Sequence, residues 1–435
     1  MTDWNRRDLM RGVAGAAALS GLVTGAAASA ATSARAQTTG SGEAAASVDR
    51  AVPFELGNGM ASPPGDAIPN DLVGRPLPKR FTPPDAPDER VGWAIAGLGD
   101  FAVNHIIPAL DGAQHSRLAG LVSGNAEKAG AVARSRGIEQ ARVHTYETMD
   151  RIADDDAIEV VYVITPNALH EEVVVRALRA GKHVLCEKPM GATVEACERM
   201  IAEAERADRK LMIAYRAHFE PHNIEAKRMF DAGEFGTVNF MEAATHRPLD
   251  VSRPRDQWRV RRALSGGGSM PDIGIYALNG VLYYLDEMPV RLAARTYAPD
   301  GDARFAEVED VCAAELVFPS GRVAHISSSY TAFANRIVLH GDKALATLSP
   351  ATSYHDNRLI VAAPDGTERT IGVAEQSDVQ FHREMDHLSQ AIREGSDVRT
   401  PASMGLRDVR LIEAIYTSAT RGAWVDLDGE GRVKA

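Results

Sequence analysis

From Val91 to Tyr215 the chain alternates short apolar runs with stretches of helical spacing. Val91–Ala96, Leu118–Val122, Val160–Thr165, His183–Cys186 and Lys210–Tyr215 have the length and composition of strands. Between them, segments near His105–Leu110 and over Ala126–Arg136, His170–Ala180 and Val194–Ala207 read as helices, the third ended by Gly181. Val160–Thr165 is almost continuously apolar, as a central parallel strand covered on both faces must be. The alternation predicts a doubly wound domain over 91–215.

Beyond Tyr215 the pattern changes. Asn223–Ala232, Asp272–Leu285, Glu384–Glu394 and Gly405–Ala419 read as helices. Val238–Thr245, Val290–Thr296, Val311–Phe318, Val323–Tyr330, Ile337–His340, Ala344–Leu348 and Leu359–Ala362 read as strands. Several alternate polar with apolar positions, the mark of a sheet with one face in solvent. Tight connections at Pro319-Ser320-Gly321 and Gly341-Asp342-Lys343 suit antiparallel neighbours. The expected fold class is therefore α/β: an N-terminal doubly wound Rossmann domain, then a C-terminal α+β domain over 216–435. Its sheet is expected to be large, mostly antiparallel and open-faced.

The first ninety residues share neither pattern. Arg6-Arg7 precede a mildly apolar stretch, Gly12–Ala31, and Ala34-Arg35-Ala36 fits a cleavage site. Residues 1–36 read as a twin-arginine export signal, too rich in Gly, Ser and Thr for a stable membrane anchor. The expected location is periplasmic. Residues 37–90 carry nine prolines between Pro53 and Pro87, which disfavours helix and predicts an extended arm.

Composition narrows the class. At 45% hydrophobic and 25% charged, the 435-residue chain is an ordinary soluble globular one. A formal charge of -11 argues against a nucleic-acid surface. Cys186, Cys197 and Cys312 form no disulfide framework and match no metal spacing. His218 and His222 mimic an H-x-x-x-H pair, but Pro221 interrupts any helix between them, and no metal is expected.

The chemistry begins where the first strand ends, at Gly97-Leu98-Gly99. A strand–glycine–helix sequence suits a dinucleotide: Gly97 permits the tight turn, Gly99 lets backbone approach a pyrophosphate, and Ala102 keeps helix close to strand. About twenty residues on, an NAD site would place a carboxylate. Here Ser123-Gly124-Asn125-Ala126-Glu127-Lys128 follows the second strand instead. Without that repulsion, and with Ser123 and Lys128 to meet a 2′-phosphate, the sequence favours NADP. Glu187-Lys188-Pro189 follows another strand end, where open α/β sheets bind ligands. Asp272 and Tyr276, four apart after Gly266-Gly267-Gly268-Ser269, would share a helix face as a proton-transfer pair. Each also has a plainer reading: a solvated loop lysine, an exposed aspartate and a core tyrosine. Arg259, Arg261 and Arg262, after Trp258, suit either sugar or phosphate binding or an exposed basic face.

These runs together carry a resemblance. Ala96-Gly97-Leu98-Gly99, Gln114-His115-Ser116-Arg117, Val122–Lys128, Pro166–His170, Cys186–Met190, Gln257-Trp258-Arg259, Gly266–Ser269 and Asp272–Tyr276 resemble the glucose–fructose oxidoreductase branch of the Gfo/Idh/MocA family. The resemblance spans nearly the whole chain. It implies that Lys188 orients a sugar and lowers the Tyr276 pKa, that Tyr276 takes the sugar O1 proton, and that Asp272 holds both. It implies cofactor contacts from Gly97, Leu98, Gly99, Ser123, Gly124, Asn125, Lys128, Tyr146, Glu187, Lys188, Arg216, Trp258 and Arg259. Asn167 and His170 would line the nicotinamide. It further implies a homo-oligomer, dimer or tetramer, whose arm covers the adenosine. NADP would stay bound while an aldose becomes a lactone and a ketose or second sugar an alditol. A sugar dehydrogenase with exchanging cofactor, or a non-catalytic sugar sensor, are the alternatives. Thr245–Asp256, Pro271, Ala217 and Phe219 depart from the pattern beside the pocket, which leaves the sugar pair open.

Overall fold

The structure, a computed structural model, describes residues 85–86 and 89–434, which belong to one compact unit. The expected export signal, and the arm apart from Asp85, Ala86, Glu89 and Arg90, lie outside the described residues.

Six parallel strands form the first sheet: β1 (Val91–Ala96), β2 (Ser116–Val122), β3 (Val143–His144), β4 (Val160–Val163), β5 (His183–Cys186) and β6 (Leu211–Ile213). Their order, β3-β2-β1-β4-β5-β6, reverses between β1 and β4, which is the doubly wound arrangement. All residues of β1 and β4 are buried, as their continuous apolar pattern requires. Helix starts follow side-chain caps. Asn125 accepts from the Lys128 N–H before Ala126–Arg136, and Thr193 accepts from the Ala196 N–H before Val194–Ala207. The segment after the glycine turn is not the regular helix expected. It is a π-helical turn, Ala102–Ile106, then Ile107–Ala109 and a 3-10 turn, Leu110–Gly112. Pro108 has no N–H to return to Asn104, so an unbroken α-helix is unavailable there.

The second sheet contains β7 (Val238–His246), β8 (Arg291–Tyr297), β9 (Val311–Val317), β10 (Val323–Ser329), β11 (Ala334–Gly341), β12 (Leu345–Leu348), β13 (Leu359–Ala362), β14 (Glu368–Ile371) and β15 (Val425–Asp426). Its order is β14-β13-β12-β11-β7-β10-β9-β8-β15. It is antiparallel except at its centre, where β7 and β10 run parallel. The sequence pattern missed β3, β14 and β15. These are two to four residues long, too short for a period to emerge. The helix Ile275–Leu285 packs on β7, β10 and β11, and Ala402–Arg421 on β8.

The boundary at residue 215 does not close the first unit. Helix Val379–Glu394, late in the chain, returns to it, and Phe381, Met385 and Leu388 share an apolar cluster with Trp93, Ile95 and Leu185. Trp93 Nε1 donates to Ser389 Oγ at 3.0 Å. Asp386 accepts from Gln114 N (2.7 Å), His115 N (2.9 Å) and Ser116 Oγ (2.8 Å), tying that helix to the start of β2. Removing a carboxylate that satisfies three donors costs roughly 2–3 kcal/mol. Asp386→Ala is therefore expected to lower the thermal unfolding midpoint by several degrees with the substrate site intact. Scanning calorimetry of both proteins checks this, and an unchanged midpoint contradicts it.

Candidate active site

The glycine turn is built against backbone. Gly97 has φ +102°, and a Cβ there would lie 2.3 Å from the Ile164 carbonyl oxygen. A Cβ on Gly99 would meet no protein atom within 4 Å. Protein packing thus explains the first glycine and leaves the second to ligand approach. Lys128 Nζ donates to the Leu98 carbonyl at 3.0 Å, so the second βα unit holds the turn. That ammonium keeps two further N–H groups. Ser123, nearly buried, accepts from Asn125 N at 3.1 Å and keeps its own proton to donate. Gly124 lies between them in the same turn. These residues fit a dinucleotide with a 2′-phosphate: open backbone at Gly99, a lysine, a hydroxyl and a helix start, with no carboxylate in Ser123-Gly124-Asn125.

Lys188, Asp272 and Tyr276 converge. Lys188 Nζ lies 2.5 Å from the Asp272 carbonyl oxygen and 4.5 Å from the Tyr276 ring centroid. Asp272 stands on a π-helical turn, Met270–Gly274, and Tyr276 on the α-helix that follows. The glycines before it have physical causes. A Cβ on Gly267 would meet the Tyr416 hydroxyl at 2.1 Å, and one on Gly268 the Glu309 carbonyl oxygen at 2.0 Å. Glu309 in turn accepts from Gly268 N (2.8 Å) and Met270 N (3.0 Å), fixing the turn that presents Asp272.

Asp272 is 6% exposed and paired from several directions. Arg259 Nε donates to its Oδ2 at 2.9 Å, the Tyr330 hydroxyl donates at 2.9 Å, and Arg247 lies at 3.6 Å. Burial alone would raise its pKa. The charges of Arg259, Lys188 and Arg247 overcome that and hold the carboxyl well below the usual range. Burial pushes the Tyr276 phenol up to about 12. Arg216, 4.8 Å from the Tyr276 ring, opposes this rise, and the Lys188 ammonium that the resemblance implied for this role faces the same ring at 4.5 Å. Arg216 is wedged between Tyr276 and Tyr354, the latter at 4.6 Å. Lys188 lies over the ring face and gives one of its three N–H groups to the Asp272 carbonyl.

The other expected contact residues have these partners within the protein. His170 is fully buried, with Nδ1 at 3.0 Å from the Pro189 carbonyl and Nε2 at 2.8 Å from that of Thr165. It braces the turn after β5. Asn167 donates to the Ser265 carbonyl at 2.8 Å, tying the first unit to the segment before the glycine run. Arg259 turns to Asp272 and Asp256, stacked on Trp258 at 4.6 Å. Tyr146 packs against the main core, and burial raises its phenol. Glu187 accepts from the Tyr162 hydroxyl at 2.7 Å. Arg247, Glu309, Tyr330 and Tyr354 escaped the sequence reading. Each reaches the site from a distant strand or loop.

His218 and His222 form no metal pair. His218 Nε2 lies 2.7 Å from Asn279 Oδ1, and His222 Nδ1 2.9 Å from Glu220 Oε1. Among the described residues, no group of three His, Cys, Asp or Glu is placed to hold a metal ion. All three cysteines are buried and free.

Residues 91–215 match the family model of the Gfo/Idh/MocA oxidoreductases with an NAD-binding Rossmann fold, and residues 224–347 match the Gfo/Idh/MocA C-terminal domain. The chain is 35% identical over 347 residues to the D-xylose 1-dehydrogenase (NADP+) of Haloarcula marismortui, covering 79% of this chain and 95% of that protein. It is 43% identical to the aldose–aldose oxidoreductase of Caulobacter crescentus, solved with glycerol, with a TM-score of 0.75 over 78% of this chain and all of that one. Levoglucosan dehydrogenase with NADH, at 22% identity and a TM-score of 0.68 over 78% of this chain and 99% of that one, shares the fold.

The two glycines separate stability from binding. Gly97→Ala is expected to lower the unfolding midpoint markedly, because strain and a backbone clash coincide. Gly99→Ala should keep the midpoint and weaken NADP binding by roughly tenfold or more, about 1.4 kcal/mol. Thermal scans and binding titrations read the two effects, and a shared outcome contradicts the division. His218 supplies a pH test. Burial lowers its pKa to about 4. The unfolded chain then binds the proton better, so stability is full above about pH 6.5 and is lost as pH falls toward 4. Denaturant midpoints at stepped pH should decline over that window, and His218→Gln should flatten the decline.

Proposed function

The chain belongs to the Gfo/Idh/MocA oxidoreductase family, and on that premise we propose that it oxidises an aldose to its lactone and passes the reducing equivalents to a second sugar on a retained cofactor. At the coarser level the protein is an NADP-dependent sugar oxidoreductase acting on CH–OH groups. The observation that carries the finer reading is the convergence of Lys188, Asp272 and Tyr276 beside Arg216, beyond the strand ends of a dinucleotide fold.

NADP, held by the Gly97-Leu98-Gly99 turn with Ser123 and Lys128, would supply a hydride acceptor and, once reduced, a hydride donor. Everything else falls to the chain. Tyr276 accepts the proton of the sugar O1 hydroxyl as the hydride leaves C1, and gives a proton to the carbonyl oxygen of the second sugar. Tyr276 accepts the O1 proton as its phenolate and becomes the phenol, and with the phenol raised to about 12 little phenolate stands ready near neutral pH. Arg216, buried and in contact with its ring, is placed to stabilise the phenolate that must be present before the sugar proton moves. Lys188 offers its remaining N–H groups to the sugar O1. Asp272, kept ionised by Arg259, accepts from sugar hydroxyls. Tyr354 caps the pocket through Arg216.

Retention of NADP, export through the twin-arginine route to the periplasm and homo-oligomerisation complete the proposal. The leader and proline-rich arm support the first two. The open face of the nine-stranded sheet, with Glu242, Glu315, His325 and Arg336 around an alanine floor, supports association with a second copy. A dehydrogenase that releases NADPH is the competing reading.

Protein purified without added cofactor should show a rise in reduced-nicotinamide absorbance on addition of glucose or xylose, and lose it on addition of the acceptor sugar. No rise without added NADP favours the exchanging dehydrogenase. Tyr276→Phe should retain fold and nucleotide content while turnover falls by roughly two to four orders of magnitude. Near-normal turnover would remove Tyr276 from the role of base.

A further inference from the structure

Beneath the site lies a pair of carboxyl groups that the reaction above does not use. Tyr162, on β4 and fully buried, places its hydroxyl 2.7 Å from Glu187 Oε1 and 3.3 Å from Glu384 Oε1. Glu384, on helix Val379–Glu394, is 1% exposed, and its Oε2 has no hydrogen-bond partner. A phenol has one proton to give and lone pairs to accept with. It cannot donate to two carboxylates at once. With both glutamates ionised, one buried charge would lack its donor, a large cost.

A single extra proton resolves this. Glu187 is the better place for the negative charge. Burial raises its carboxyl, but it is only half-buried, it accepts from the Lys188 N–H at 3.2 Å, and the Lys188 charge opposes the rise. Glu384 has no comparable support. Burial pushes its carboxyl well above the usual range, and Glu187 adds to the rise. Arg216 opposes the rise, yet its hydrogen bonds go to neutral acceptors: Gln380 Oε1 at 2.5 Å, the Thr352 carbonyl at 2.7 Å and the Ser353 carbonyl at 3.4 Å. No carboxylate forms an ion pair with this buried guanidinium among the described residues.

We propose that Glu384 is a neutral carboxylic acid that donates to Tyr162, which donates to Glu187, and that this arrangement leaves the Arg216 charge undiluted for the Tyr276 phenolate. Glu384 is thus a positioning residue, acting through Arg216 without touching substrate. The groups that face it are Tyr162 from β4, Glu187 from the turn after β5 and Arg216 from the turn after β6. Arg216 in turn faces Tyr276, Tyr354 and, behind Tyr354, His105. The inference rests on Tyr276 as base only for its kinetic consequence, since the protonation state of Glu384 is measurable in an inactive protein.

Infrared spectra of the full-length protein at pH 7 are expected to contain a carbonyl stretch of a protonated glutamic acid. It should shift on carbon-13 labelling of glutamate and disappear in Glu384→Gln. A wild-type spectrum without that labelled band overturns the proposal, whether or not the variant folds. A band that survives in a folded Glu384→Gln also overturns it. In kinetics, Gln380→Glu sets a carboxylate on Arg216 and should move the rising limb of the sugar-oxidation pH profile up by about one unit or more. Glu384→Gln replaces a neutral group by a neutral one and should leave that limb in place. A downward shift of similar size in Glu384→Gln means that a charge was removed, and the proposal fails.

Discussion

The buried carboxylate of Asp272 is the interaction on which the site depends. An ionised group so removed from water is tolerable only when its oxygens are paired and neighbouring charges offset the lost hydration. Arg259 comes from the segment before the glycine run, Tyr330 from the end of β10, Arg247 from the end of β7, and Lys188 from the end of β5 in the other sheet. One charge thereby recruits both halves of the chain. Lys188 also reaches the Asp272 backbone, so this cation from the end of β5 is fixed to the turn that carries Asp272 and leads into Tyr276.

That turn is held in its own way. Gly267 and Gly268 pass where the Tyr416 hydroxyl and Glu309 leave no space for a Cβ, and Glu309 fastens the backbone N–H groups of Gly268 and Met270. The π-helical turn Met270–Gly274 then sets the angle between Asp272 and Tyr276. Wide turns of this kind are frequent at functional sites. The doubly wound order brings the ends of β4, β5 and β6 to one edge, so Glu187, Lys188 and Arg216 arrive together although about thirty residues separate the last two.

Electrostatically, the site is layered. One end is a carboxylate ringed by arginines. Next comes Tyr276, with Lys188 over its face and Arg216 against it. The third group is Glu187, Tyr162 and Glu384. The guanidinium of Arg216 joins the last two layers, and its neutral hydrogen-bond partners leave its charge directed at the phenols of Tyr276 and Tyr354.

Much of this was legible along the chain because it is encoded over a few residues. The apolar runs of β1 and β4, the Gly97-Leu98-Gly99 turn, the lysine after β5 and the Asp272–Tyr276 spacing each express a local requirement of strand, turn or helix. The alternating strands past Tyr215 likewise announced a sheet with one open face. Tertiary structure decided the rest. That Arg216 joins Lys188 at the Tyr276 ring, that His170 braces a turn, that Arg259 pairs with Asp272, and that helix Val379–Glu394 packs on the first sheet all depend on residues far apart in sequence. Periodicity tells which face of an element is buried. It does not tell which buried charge meets which partner, because that pairing is set by the close approach of separate elements and by the need to satisfy every polar group left without water.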